Sequence, residues 1–425
     1  MNQLSALIVD PSASYTHNIA ASLKALGWAE ERIYVAKKYA DAKHIIATKQ
    51  PDVLITEYSI EGKQGLELVQ LMNSQSAAKI SVIVSHNNNG ASIAEAAEEL
   101  VDDYIVKPFQ GSQISERLKE VIRRKANPTD YIKNIRSGKQ MLIEGRMQEA
   151  EKYFQSALAL EAKPTLAHYY LGYAKLLQTD YPIAVNEFKK GLNIQPLHFK
   201  CLTGNFDALF EQKAYASAYH LAPTLLNNYP IGPKRLGNLF ISAVFSGHLE
   251  DVPKYHSLFL TLDDVTPELR KVFSAALLAA GRFQITRQSV EKAAECFELG
   301  IQVLGADVEY IDKSVRALLA VGGKGAQLAV KLLQRFPKGK IGEKEHSALV
   351  FLTAAKTQTR QQVIDLGRKL VINKHADAEC YQTFLKLLVE DGKMTLAEDT
   401  AAKAIRDFPQ LRATFNAILE KRAAS

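Results

Sequence analysis

The sequence predicts two architectures in one chain: an α/β domain on a doubly wound, five-stranded parallel sheet over residues 1–125, and an all-α superhelical solenoid over 132–425, with a linker at 126–131. Two observations predict this. Over the first 125 residues, apolar runs of strand length alternate with segments of helical periodicity. Beyond Lys125 the strand pattern stops, and small, aromatic and proline residues recur at intervals of 34. A chain of 425 residues is also too long for one ordinary core.

The strand-length runs are Leu4–Val9, Arg32–Ala36, Val53–Thr56, Ser81–Ser85 and Asp103–Val106. Helical periodicity fills Tyr15–Leu26, Lys38–Thr48, Leu66–Met72, Ala91–Leu100 and Ser112–Lys125. Nearly continuous apolar strands between amphipathic helices indicate parallel strands covered on both faces. Ligands of such sheets bind outside the carboxyl ends of the strands. The residues standing there are Asp10, Glu57, Ser85 and Lys107.

The segments LIVDPS, PDVLITEYSIEGKQGLEL, SVIVSHNNN and VDDYIVKPF carry a resemblance. Together they resemble the receiver domain of two-component response regulators, a flavodoxin-like (CheY-like) fold, over about residues 3–124. The resemblance implies a role for each strand-end residue. Asp10 is the first member of the family's acidic pair, and Glu57 stands at the phosphoacceptor position. Ser85 is the hydroxyl switch residue, Tyr104 the aromatic of the fifth strand, Lys107 the phosphate-contacting cation and Pro108 the cis-proline. Gly65 falls where the family has a glycine eight residues after the acceptor.

The departures shape the expected function. Glu57 replaces the acceptor Asp, Pro11 replaces the second acidic residue, and Glu61 stands where proline is usual. Phosphoryl transfer depends on positioning and on a divalent cation. Losing the carboxylate at 11 removes a ligand, leaving Asp10 and Glu57 as a weak magnesium pair if any. One extra methylene moves the acceptor oxygen, and misplacement by about 1 Å costs roughly 100-fold. Glu57 is instead expected to pair with Lys107, with Ser85 nearby. Three readings stay open: Glu57 mimics the phosphorylated state, the domain is a fixed platform, or residual phosphorylation persists.

In the solenoid, Ala150, Ala184 and Ala218 are 34 apart, as are Gly138 and Gly172, Phe154 and Phe188, and Pro196 and Pro230. This pattern resembles the tetratricopeptide repeat (TPR). Small residues such as Gly138 and Ala150 let helices approach, Phe154 fills the groove toward the next unit, and Pro196 or Pro230 ends the second helix. Gly247-His248-Leu249 and Gly281-Arg282-Phe283 mark the turns of later units. Gly392, Ala397, Ala401 and Pro409 mark the last unit, and 411–423 reads as a polar capping helix. Such stacks expose a long concave groove that takes a peptide or a partner helix.

No catalytic constellation is expected. The ten His are scattered, VGGKGAQ at 321–327 reads as a helix–helix turn, and Cys201, Cys296 and Cys380 are too far apart to form a framework. The Arg123-Arg124-Lys125 run reads as a solvated helix end. MNQLSALIVDPSAS has no basic stretch or long apolar run, so no leader is expected, and no stretch suits a membrane span. The net charge of +7 is modest. The sequence therefore predicts a cytoplasmic, non-enzymatic two-component adaptor. Its partners would be a histidine kinase or another signalling protein, with neither nucleic acid nor membrane, and a homodimer stays open. The alternative is a phosphorylation-switched regulator whose solenoid is the output.

Overall fold

Strand β1 (Ala6–Val9) is wholly buried, and its side chains alternate between two cores. Ala6 and Ile8 pack with Ile19, Leu23, Ile114 and Leu118, whereas Leu7 and Val9 pack with Ala42, Ile46, Leu66 and Val69. The period of two along a strand enforces this two-sided burial. The computed structural model describes residues 4–420 except 62, 74, 75, 77, 78, 87–100, 127, 229–231, 261, 263, 264 and 338–341. It divides into two compact units, Met1–Ser242 and Ala243–Ser425.

In the first unit, β2 (Ile33–Ala36), β3 (Val53–Thr56), β4 (Ile80–Ser85) and β5 (Asp103–Val106) join β1 in one parallel sheet. The order is β2-β1-β3-β4-β5. Helices α1 (Ala13–Ala25) and α4 (Gly111–Ala126) cover one face; α2 (Tyr39–Lys49) and α3 (Gly65–Asn73) cover the other. The helix expected at Ala91–Leu100 lies outside the described residues. A two-stranded ribbon, Ser59–Ile60 with Lys63–Gln64, succeeds β3. Its turn residue Glu61 has φ +52, and the Glu61 carboxylate accepts from Tyr39 N at 3.3 Å, at the start of α2.

The remainder of the first unit is helical: α5 (Asp130–Ile143), α6 (Met147–Leu158), α7 (Thr165–Leu177), α8 (Tyr181–Ile194) and α9 (Phe199–Glu211). Thr129 caps α5 by accepting from Ile132 N. Ala150, Ala184, Ala218, Phe154 and Phe188 are completely buried. A Cβ on Gly138 would overlap the Phe154 ring, and one on Gly172 would lie 2.7 Å from Phe188, so glycine is required for the close approach. Phe154 also stacks on Tyr170 of α7 at 5.2 Å. Pro196 lies just beyond the end of α8; Pro230 lies outside the described residues.

Three expectations need correction. The helix around Ala218 is not continuous: it divides into Tyr215–His220 and Ala222–Asn228. Pro223 has no N–H to extend the ladder across the break. Gly281 is not a turn residue. It lies within the helix Pro267–Thr286, where an added Cβ would overlap Phe297, as at Gly138 and Phe154. The turn comes later, at Gln288 with φ +58. Lys125 is not solvated, whereas Arg123 is: their side chains are 17% and 73% exposed.

Among its described residues the second unit is mainly helical from Pro267 onward, and the last described helix is Arg412–Glu420. Gly392 has φ +73 in the turn before Met394–Asp407, whose Ala397 is fully buried. The capping helix is amphipathic rather than polar throughout: Phe415 is completely buried and Ile418 nearly so. No described helix is long and apolar enough to cross a membrane.

Candidate functional site: the cleft at the carboxyl ends of the sheet

Backbone pairing continues one residue past the strands and fixes the cleft. Asp10 N bonds to Ala36 O, Glu57 N to Val9 O at 2.8 Å, and Lys107 N to Ser85 O at 2.8 Å. Asp10, Glu57, Ser85 and Lys107 therefore stand side by side. A Cβ on Gly65 would overlap the Glu57 carbonyl oxygen, so glycine lets α3 begin close beneath the loop.

The Lys107 ammonium lies between two carboxylates, 2.5 Å from Asp10 Oδ2 and 2.5 Å from Glu57 Oε2. The three side chains are 2%, 4% and 12% exposed for Lys107, Asp10 and Glu57. The remaining oxygens are also held: Asp10 Oδ1 accepts from Ser12 N, and Glu57 Oε1 from Tyr58 N, both at 2.8 Å. The Lys107–Pro108 peptide is cis. Tyr104 hydrogen-bonds to Ser85. Burial raises the Tyr104 hydroxyl above its ordinary pKa and the Glu57 charge adds to this, while the Ser85 bond opposes it.

Sequence reasoning missed Tyr15. Its ring centroid lies 4.3 Å from Lys107 Nζ, and its ring meets His86 at 5.4 Å and Phe109 at 5.5 Å. The ring covers the ion cluster with a cation–π contact. An aromatic five residues after Asp10 was the available signal, masked by the helical periodicity of Tyr15–Leu26.

A divalent cation would need oxygens where Lys107 sits. Pro11 offers no side-chain oxygen, and both carboxylates already bind the ammonium. The donor set does not fit magnesium. Among the described residues no group of three or more His, Cys, Asp or Glu is placed to hold a metal ion. The cysteines are buried and free; burial pushes Cys201 up to about 12 and Cys296 up to about 11. His198, beside Cys201, is pushed down to about 4 by burial.

Residues 6–119 match the response regulator receiver domain family. This stretch is a response-regulator receiver domain. The phosphate regulon transcriptional regulatory protein PhoB of Pseudomonas aeruginosa is 29% identical over 120 residues, 28% of this chain and 51% of its own length. The virulence transcriptional regulatory protein PhoP of Salmonella typhimurium is 21% identical over 129 residues, 30% of this chain and 56% of its own. The chain thus spans about half the length of the curated relatives it matches. Among solved structures, a response regulator receiver domain protein from Clostridium thermocellum is 18% identical with TM-score 0.27, covering 29% of this chain and 97% of that one. The family match stops at 119, and the chain beyond the receiver domain is helical.

Proposed function

We propose that this chain is a non-enzymatic adaptor of two-component signalling, in which a pseudo-receiver docks a signalling protein and a TPR-like solenoid holds a second partner. One observation carries the reading: the Lys107 ammonium is 2.5 Å from both Asp10 and Glu57. The chain's own cation bridges the two carboxylates and offsets one of their two charges, and both Glu57 oxygens are engaged. Nothing in that arrangement calls for phosphate or magnesium. The Tyr104–Ser85 hydrogen bond favours the version in which Glu57 keeps the switch pair engaged.

The solenoid reading is supported by the repeated packing of a helical glycine against a phenylalanine 16 positions on: Gly138 with Phe154, Gly172 with Phe188, and Gly281 with Phe297. The first two pairs are 34 residues apart. Arrays of this kind present surfaces for a peptide or helix.

The concrete form is an inhibitor that occupies a histidine kinase's receiver-docking surface without draining its phosphoryl group. The test uses the full chain as bait in native lysate, then mixes it with the recovered kinase in its phosphorylated form. Recovery of a kinase whose label stays in place supports the adaptor. Recovery of none, or rapid loss of label to this chain, removes it.

A further inference from the structure

A cavity of about 390 Å³ lies in the first compact unit, at the opposite strand ends from the Lys107 cleft. Its walls come from the segment before β5 (Asp102), the end of α4 (Arg124, Lys125), α5 (Arg136, Lys139) and the start of α9 (Lys200). Among the described residues, five cations and one carboxylate therefore line the cavity. Ile132, Leu166 and Tyr170 supply apolar wall.

Asp102, the carboxylate among the described lining residues, is already paired. Asp102 Oδ2 pairs with Lys125 Nζ at 2.9 Å and also accepts from Ser81 N at 2.9 Å. Arg136 places two of its five N–H donors on the carbonyls ending α4, Lys125 O at 2.6 Å and Arg124 O at 3.4 Å, leaving others for a ligand. Those bonds orient the guanidinium without cancelling its charge. Among the described residues no carboxylate bonds to Lys139; its ammonium lies 5.9 Å from the Tyr170 ring centroid. Cations gathered in one partly shielded cavity repel one another unless an anion joins them. Lys125 of α4 with Arg136 and Lys139 of α5 bring three positive charges to one cavity, which suits a multiply charged oxyanion better than a singly charged carboxylate.

We propose that this cavity binds a small phosphate-bearing molecule, its anionic group held among Lys125, Arg136 and Lys139 and its organic part against Tyr170 and Leu166. The volume is that of a small-molecule site. The site is separate from the receiver's Asp10–Glu57–Lys107 cleft and does not depend on how that cleft functions.

The test is calorimetry on the full chain with sodium phosphate and with AMP as probes, at ionic strength matched with sodium chloride. AMP should bind more tightly than inorganic phosphate. Lys139→Met should weaken AMP about tenfold or more. Lys133→Met, exposed on the same helix, should change nothing. A melting curve of Lys139→Met without ligand checks that the variant folds; removing an unpaired ammonium should leave its Tm unchanged or higher. Equal affinity for the two probes overturns the organic part of the assignment. Heat no greater than that of chloride alone, or undiminished AMP binding by Lys139→Met, overturns the site.

Discussion

Lys107 is held by two carboxylates and the face of Tyr15, and its removal is the sharpest residue-scale test of the ion cluster. Lys107→Met leaves Asp10 and Glu57 facing each other with no cation, both shielded from water. Breaking a buried pair in this way costs about 3–5 kcal/mol. Urea denaturation at neutral pH should show that loss in the full chain, whereas Asp10→Asn should cost less because Glu57 still serves Lys107. An unchanged midpoint for Lys107→Met would contradict the cluster's role. Lys139 gives a pH test. Burial, aided by the nearby Lys125 charge, pushes its ammonium from 10.5 down to about 8. The folded state therefore gives up this proton more easily than the unfolded chain. The penalty on folding is full below about pH 8 and fades as the pH climbs toward 10.5. The stability gained by Lys139→Met should be largest near neutrality and vanish across that interval. Of these residues, Asp10, Glu57, Ser85 and Lys107 were legible in sequence because each ends a buried strand. Tyr15 and Lys139 were not, since their partners come from distant elements that no local pattern connects.

At the scale of elements, helix pairs depend on glycines that act through absent atoms. Gly138→Ala places a methyl within the Phe154 ring. Overpacking of this kind costs about 1–3 kcal/mol, against the roughly 1 kcal/mol that alanine gains over glycine in a helix, and overlap with three ring atoms places the cost in the upper part of that range. The variant should melt lower than the parent in calorimetry. Combining it with Phe154→Leu should cost less than the sum of the two changes, because the shorter side chain vacates the overlap. The five strands and their parallel arrangement were legible from apolar runs and the motifs at their ends. The helical elements were less legible where one residue serves two purposes. Gly281 looks like a breaker but lies inside a helix, because the chain needs closeness to Phe297 there. Pro223 looks innocuous within a repeat, yet it divides a helix in two. Lys125 looks like a solvated end in the sequence because Asp102, its partner, is 23 positions upstream.

Across the whole molecule, the receiver domain and the helices beyond it in the first unit are joined by polar contacts as well as by chain. Arg136 of α5 reaches the carbonyls that end α4, and Lys125 returns to Asp102 and to the carbonyl of Lys79. Arg136→Met should therefore loosen the end of α4, seen as faster amide exchange around residues 121–125 with the sheet amides unaffected. In the other cleft, Lys107 bonds Asp10 and Glu57 without any phosphoryl group. Intact-mass spectrometry of the full chain after incubation with acetyl phosphate and magnesium tests it most directly. The expected result is an unchanged mass. A mass increase of one phosphoryl group that disappears in Glu57→Gln would contradict the account.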